Sequence, residues 1–275
     1  MQADFETQRA RLWALAYRML GSASDADDIV QDCWIRFTQA NAAPDGPAWL
    51  TSVATRLCLD KLKHLRVARE KYPGPWLPEP TTGFDASAGL ESISTAFLLV
   101  LEQLNPTERA AYLLHHVFDY SHREIADILN CSDQLVRQWT SRAKAHLASE
   151  RPRFAANSEL HQNLLVSFLT ACQTGDLTLV RQLLSDDAKA HTDGGGKARA
   201  AMNVVCGADA VARLFVGLAQ KGPVNGTPEL VLLNGWPHLV MWRGDEPEFT
   251  LGIETDGQRI FAVHVVRNPD KLQRL

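Results

Sequence analysis

Gln134, Arg137, Gln138 and Ser141 fall on one side of a helix drawn at about 100° per residue, with Arg142 and Lys144 flanking them. Glutamine can pair with adenine edges and arginine with guanine edges in the major groove, and the flanking cations suit phosphates. The chemistry is recognition. Val136, Trp139, Ala143 and Leu147 take the opposite, apolar side. Just upstream, SHREIADIL puts Ile125, Ile128 and Leu129 on one face, and Asn130-Cys131-Ser132 supplies a turn and a helix N-cap. The stretch from about Tyr120 to His146 therefore reads as a helix-turn-helix. An ordinary helical hairpin is the alternative, and the short turn, the cap and the adjacent arginine and glutamine argue against it.

A second group is basic. Residues 1–150 carry 15 Lys and Arg against 19 Asp and Glu, yet Arg56, Lys61, Lys63, Arg66, Arg69 and Lys71 crowd into one stretch. A basic cluster in an acidic half is a local feature. On the helix opened by Pro47, with Leu50, Val53 and Leu57 inward, Arg56, Lys63 and Arg66 can face a nucleic-acid backbone. Trp49 is the one aromatic near enough to stack on a base, and core packing suits it better. A third group is acidic: after a cap at Ser24, Asp25, Asp28 and Asp32 share a face opposite Val30, Cys33, Trp34 and Phe37. Acids in a first turn complement the helix dipole, but Asp32 lies beyond that effect, and a partner with a basic surface would explain it.

Bond-making chemistry has weaker support. His191, Asp193, Trp236, His238, Trp242 and His264 could line a pocket, and a histidine with an aspartate can move protons, but no catalytic spacing emerges. Each also reads as a core or rim residue. The five cysteines are scattered, with no CxxC pair and no clustered histidines, so neither a zinc site nor a disulfide framework is expected. No catalytic residue, no metal and no cofactor is expected.

The elements that must position these residues fall in blocks. A chain of 275 residues exceeds one typical domain. Helical spacing runs from Phe5 to about Arg69, broken at Gly21 and at 41–47. Tyr72 to Gly89 holds four prolines and three glycines and reads as a linker. Helical spacing returns over 90–147. Two helical stretches, Leu160 to Cys172 and Leu177 to Leu184, then precede the alternating segments LVLLNG, HLVMWR, FTLGIETDG and IFAVHVV, which predict a mostly antiparallel sheet. The expected division is 1–71, a linker at 72–89, 90–150, and an α+β domain at 157–275. No apolar run suits a membrane span, and MQADFETQRA lacks the features of a signal peptide, which predicts a soluble cytoplasmic chain without membrane partners. The net charge of −4 leaves any DNA contact to local patches.

DADDIVQD, then WLTSVATRLCLDKLKH, then LNPTERAAYLLHHVFDYSHREIADILNCSDQLVRQWTSRAKAHL, resemble in that order a bacterial sigma factor of the extracytoplasmic-function class. The C-terminal part resembles a SnoaL-like domain of the NTF2-like cone fold, and WLPEP (76–80), DGGGK (193–197) and NPDKL (268–272) are similar to signature motifs of that subgroup. The fold class implied is multidomain: two all-α sigma domains, region 2 and region 4, followed by an α+β cone. Core RNA polymerase and promoter DNA would be the partners. Asp25, Asp28 and Asp32 would dock on polymerase. Arg56, Lys61, Lys63 and Arg66 would meet the unpaired minus 10 strand, where a base is flipped out, and the helix from Asp133 the minus 35 duplex. Trp76, Pro78, Asp193, Gly194, Gly195, Gly196, Lys197, Asn268, Pro269, Asp270 and Lys271 would make intramolecular regulatory contacts, with no separate anti-sigma protein expected. A polymerase-independent regulator with a ligand-sensing domain is the alternative. The recognition helix is leaner in basic residues than many relatives, which suits a reader that acts when tethered to polymerase.

Overall fold

The computed structural model describes residues 2–40, 46–82, 93–149, 157–221 and 226–275. The chain divides into two compact units. The first takes described residues 2–71 and 97–149, and the second takes 72–82, 93–96 and everything described from 157 onward.

The first unit is all helix: α1 (Gln2–Leu20), α2 (Ala23–Gln39), α3 (Gly46–Glu70), α4 (Thr95–Gln103, whose first residues belong to the second unit), α5 (Pro106–His116), α6 (His122–Leu129) and α7 (Asp133–Ser149). Several boundaries have a local cause. Ser22, in extended conformation, caps α2 by accepting from the Asp25 N–H at 3.2 Å. The expected cap, Ser24, instead lies inside the first turn and hydrogen-bonds Ser22 Oγ at 3.0 Å, because the helix starts two residues early. Asn105 and Pro106 start α5, and Ser121 with Glu124 forms a reciprocal capping box on α6. Tyr17, Leu12, Leu15, Leu50, Leu101, Leu113, Leu114 and Ile125 are fully buried. Helix α3 packs on α5 and α6 as well as on α1 and α2, so the halves on either side of the connector share one body.

The second unit is α+β. After α8 (Ser158–Thr174) and α9 (Leu177–Leu183) come β1 (Leu184–Asp193), β2 (Val205–Cys206), α10 (Ala208–Ala219), β3 (Thr227–Leu233), β4 (Trp236–Arg243), β5 (Glu246–Thr255) and β6 (Ile260–Val266). The six described strands lie in the order β2-β1-β6-β5-β4-β3, antiparallel except where β1 runs parallel to β6. Strand β1 and helix α10 were not anticipated: LSDDAKAHTD is too polar to read as a strand alone. Alternation decides the rest. Ala188, Ala190, Leu239, Leu251, Ile253, Val263 and Val265 meet Leu165, Phe168, Val211 and Phe215 of the helices in one core. The alternate positions carry His191, His238, Glu254 and His264, all on the other face of the sheet.

Candidate nucleic-acid interface and connector site

In the helix-turn-helix, Asn130 adopts the left-handed conformation (φ 53°), which ends α6, and Ser132 Oγ accepts from the Leu135 N–H at 3.3 Å to start α7. Val136, Ala143 and Leu147 are buried and Trp139 half-buried. Gln134, Arg137, Gln138, Ser141, Arg142 and Lys144 are all exposed. Arg137 is paired one turn back with Asp133 at 2.8 Å. A polar, solvent-facing row on a rigidly capped second helix is the geometry that enters a major groove.

The basic stretch on α3 is exposed at Arg56, Lys63 and Arg66, yet each cation already has a partner. Lys63 bonds Asp60 at 2.8 Å, Arg66 bonds Glu70 at 3.3 Å, and Arg56 Nε donates to the Ile128 carbonyl at 3.4 Å. Lys61 is half-buried and sits 2.7 Å from Asp25 and 4.0 Å from Asp28, which raises its pKa chiefly through the Asp25 hydrogen bond. The acidic face of α2 and the basic stretch of α3 thus meet in one ion pair. Asp32 stays exposed. Exposed pairs of this kind are worth about 0–1 kcal/mol, little enough for a phosphate to displace them. Trp49, half-buried, packs near Phe37 at 6.4 Å between ring centroids.

The three pentapeptides converge on Asp193, which is fully buried at the end of β1. Its carboxylate accepts from Tyr72 OH (2.5 Å), the Leu77 N–H (2.9 Å), the Gly195 N–H (3.0 Å) and Lys271 Nζ (2.7 Å). Its carbonyl accepts from the N–H groups of Arg267 and Asn268. Lys271 also donates to the Leu77 carbonyl and stands 4.4 Å from the Trp76 ring centroid and 5.0 Å from that of Tyr72. Asn268 donates to Tyr72 OH at 2.9 Å and caps the turn at Pro269–Lys271. Gly195 needs its positive φ of 58°, and a Cβ there would strike the Asn268 amide. Gly194 is buried, and its carbonyl accepts from Lys197 and Ala198, while Gly196 (φ 72°) packs under Pro73. Lys197 reaches Asp270 at 2.7 Å, and Pro78 is buried while Pro269 is exposed.

Sequence reasoning missed two more anchors. Asn234, buried in the hairpin turn between β3 and β4 with φ 55°, exchanges backbone bonds with both sides of the connector: it donates to the Thr81 carbonyl (2.8 Å) and accepts from the Ile93 N–H (3.2 Å). Its side chain accepts from the Thr81 N–H at 3.3 Å. Glu254, buried on β5, accepts from the Ala96 N–H at 2.8 Å in the first turn of α4. A lone acid in the apolar segment FTLGIETDG was the available signal.

Of the pocket candidates, His191, His264 and His238 form a row across β1, β6 and β4, with His238 lying over Gly252 of β5. Burial holds His191 and His238 down at about 4 and His264 lower still, while burial lifts the Glu254 carboxyl to about 8. The 3.6 Å contact between His264 and Glu254 is therefore one of neutral groups at neutral pH. Asp193 is occupied by the connector, Trp242 bonds exposed Glu229 at 2.8 Å, and Trp236 lies beside His161 at 5.3 Å. Among the described residues no cluster of three or more His, Cys, Asp or Glu could hold a metal, and no helix is long and apolar enough to cross a membrane.

These groups set a pH profile. Histidines held below their usual pKa contribute stability that is present above about 6.5 and lost as pH falls toward 4. Glu254 does the reverse: its contribution is full below about 4.5 and lost as pH rises through 8. Thermal unfolding of the second unit is expected to peak near pH 6.5, and Glu254→Gln is expected to flatten only the alkaline side. An unchanged alkaline limb in that variant would contradict the assignment.

Comparison with known proteins places this geometry. Residues 5–67 match the family model for sigma-70 region 2, and residues 94–147 match that for sigma-70 region 4. The extracytoplasmic-function (ECF) RNA polymerase sigma factor SigJ of Mycobacterium tuberculosis is 35% identical, over 98% of this chain and 92% of that protein. The probable ECF sigma factor SigI of the same organism is 29% identical over 100% and 96%. The crystal structure of SigJ superimposes with a TM-score of 0.81 at 33% identity, covering 98% of each chain. The chain belongs to the extracytoplasmic-function RNA polymerase sigma factors.

Proposed function

We propose that this sigma factor directs initiation by core RNA polymerase at promoters whose minus 35 element is read by α7 and whose minus 10 strand is met by α3, under control of its own C-terminal unit. Gln134, Arg137, Gln138 and Ser141 read bases, and Arg142 and Lys144 hold phosphates. Arg56, Lys61, Lys63 and Arg66 exchange their internal partners for the unpaired strand. Asp28 and Asp32 contact polymerase, joined by Asp25 once Lys61 is drawn away. The C-terminal unit is read as a SnoaL-like cone, supported by a sheet of six described strands with helices against one face. Control in cis needs no separate anti-sigma protein. The observation that carries this reading is the convergence of connector, β1 loop and C-terminal turn on Asp193.

Transcription in vitro tests it. Core polymerase with the full chain is expected to start at a cognate promoter, and Arg137→Ala to weaken use of the minus 35 element by about 1–3 kcal/mol, the worth of one bidentate base contact. A chain ending near Arg151, which lies outside the described residues, is expected to differ several-fold in activity from the full chain. Equal activity of the two would refute control in cis.

A further inference from the structure

The connector between α3 and α4 is tied to the second unit at both ends. Tyr72 and Leu77 are bonded to Asp193, Thr81 and Ile93 to the single residue Asn234, and Ala96 to Glu254. Asp193 lies level with Val266 and hence with Thr250 on β5, four residues from Glu254 and two strands away. At roughly 3.3 Å per residue and 4.8 Å per strand, the two outer anchors are about 16 Å apart. Freed and extended, the stretch from Pro73 to Ser94 would reach on the order of 70 Å.

Promoter reading needs that reach. Elements at minus 35 and minus 10 are about 25 base pairs apart, or about 85 Å of duplex at roughly 3.4 Å per pair. In the first unit the two readers are instead held together. Thr51 of α3 bonds Tyr120, beside α6, at 2.8 Å, Arg56 donates to the Ile128 carbonyl at 3.4 Å, and Arg11 of α1 donates to the Phe118 carbonyl at 2.6 Å. Helix α7 is about 25 Å long, so no residue on it lies as far from α3 as the two promoter elements lie from each other.

We propose that the second unit is a span limiter: by pinning Tyr72, Thr81, Ile93 and Ala96 on one sheet, it keeps the connector too short for regions 2 and 4 to occupy both promoter elements, and initiation requires at least one pin to open. The proposal rests on the sigma reading above and deepens it. Asn234 is its centre, because one hairpin residue gathers both arms of the connector. The Glu254 carboxyl holds the far arm where α4 begins, and it is faced by His264, with His191 and His238 in the adjoining row.

Spin labels at Pro73→Cys and Ser94→Cys, in a chain also carrying Cys131→Ser and Cys206→Ser, measure the span in the full chain. The expected result is a short distance in the free chain that lengthens at least two-fold in the complex with core polymerase and promoter. Joining the same two cysteines with a cleavable bifunctional maleimide is expected to abolish promoter-specific transcription, and cleavage to restore it. An unchanged distance in the promoter complex, or full activity of the joined chain, overturns the span limiter. If the unjoined chain gives no promoter-specific transcript with core, the sigma reading itself fails, and the two failures are told apart. Asn234→Gly keeps the turn and loses the side-chain bond to Thr81, and it should broaden the free-chain distance toward longer values.

Discussion

Replacing Asp193 with alanine should cost the second unit about 3–5 kcal/mol, the usual penalty for removing one partner from a buried ion pair. Lys271, whose side chain is only 12% exposed, would be left without its counter-charge, and Tyr72 OH and the Leu77 N–H would lose their acceptor. Each orphaned group adds to the loss, because desolvation is no longer offset by a bond. Asp193→Asn keeps the shape and should fall between wild type and alanine. Urea unfolding followed through tryptophan fluorescence reads the effect, since Trp76 lies against Lys271. A change below about 1 kcal/mol would mean that the carboxylate is not the keystone of the connector site. The same variant frees the near end of the connector, so its transcription should shift in the same direction as that of the chain ending near Arg151.

The second large effect lies in the first unit. Glu102 of α4 sits between Arg69 of α3 and Arg109 of α5, bonded to the first and 3.5 Å from the second. Both arginines also cap the C-terminal end of α1: Arg69 donates to the Leu20 carbonyl and Arg109 to the Met19 carbonyl, each at 2.6 Å. Burial lowers both guanidinium pKa values to about 10. Glu102→Ala leaves two partly dehydrated cations facing each other, and a loss of about 3–5 kcal/mol is expected in urea unfolding of the first unit. Because the triad joins helices from both sides of the connector, the variant should also loosen α4 and α5 from α1 and α3. Faster amide exchange along α4 would show this. Normal stability with normal exchange would show that apolar packing alone joins the two halves.

The helix-turn-helix was legible because it is local. Its cap, turn and two apolar faces lie within about 27 residues, and each has a propensity that acts at short range. The three helices before the connector were legible for the same reason, though the start of α2 was misplaced by two residues because Ser22 and Ser24 are equally good caps in sequence. The pentapeptides marked the right residues, but their meeting at Asp193 joins positions more than a hundred residues apart, which periodicity does not encode. Asn234 and Glu254 were missed for a sharper reason. Asn-Gly reads as a hairpin turn, and nothing local says that such a turn will be buried under a distant segment. Strand β1 was hidden by its own polarity, since a parallel strand beside β6 need not alternate cleanly when only part of it is covered.

The pairing of the DNA-facing cations with the chain's own acids has a thermodynamic consequence. A lysine that meets a phosphate from bulk solvent releases the counterions condensed on the nucleic acid and gives a steep salt dependence. Lys61, Lys63, Arg66 and Arg137 instead give up Asp25, Asp60, Glu70 and Asp133. Each exchange uncovers a carboxylate that gathers cations from solution, offsetting part of the ion release. Promoter affinity is thereby made less sensitive to ionic strength than the number of phosphate contacts would dictate, and selectivity falls more heavily on the neutral glutamines of the recognition helix.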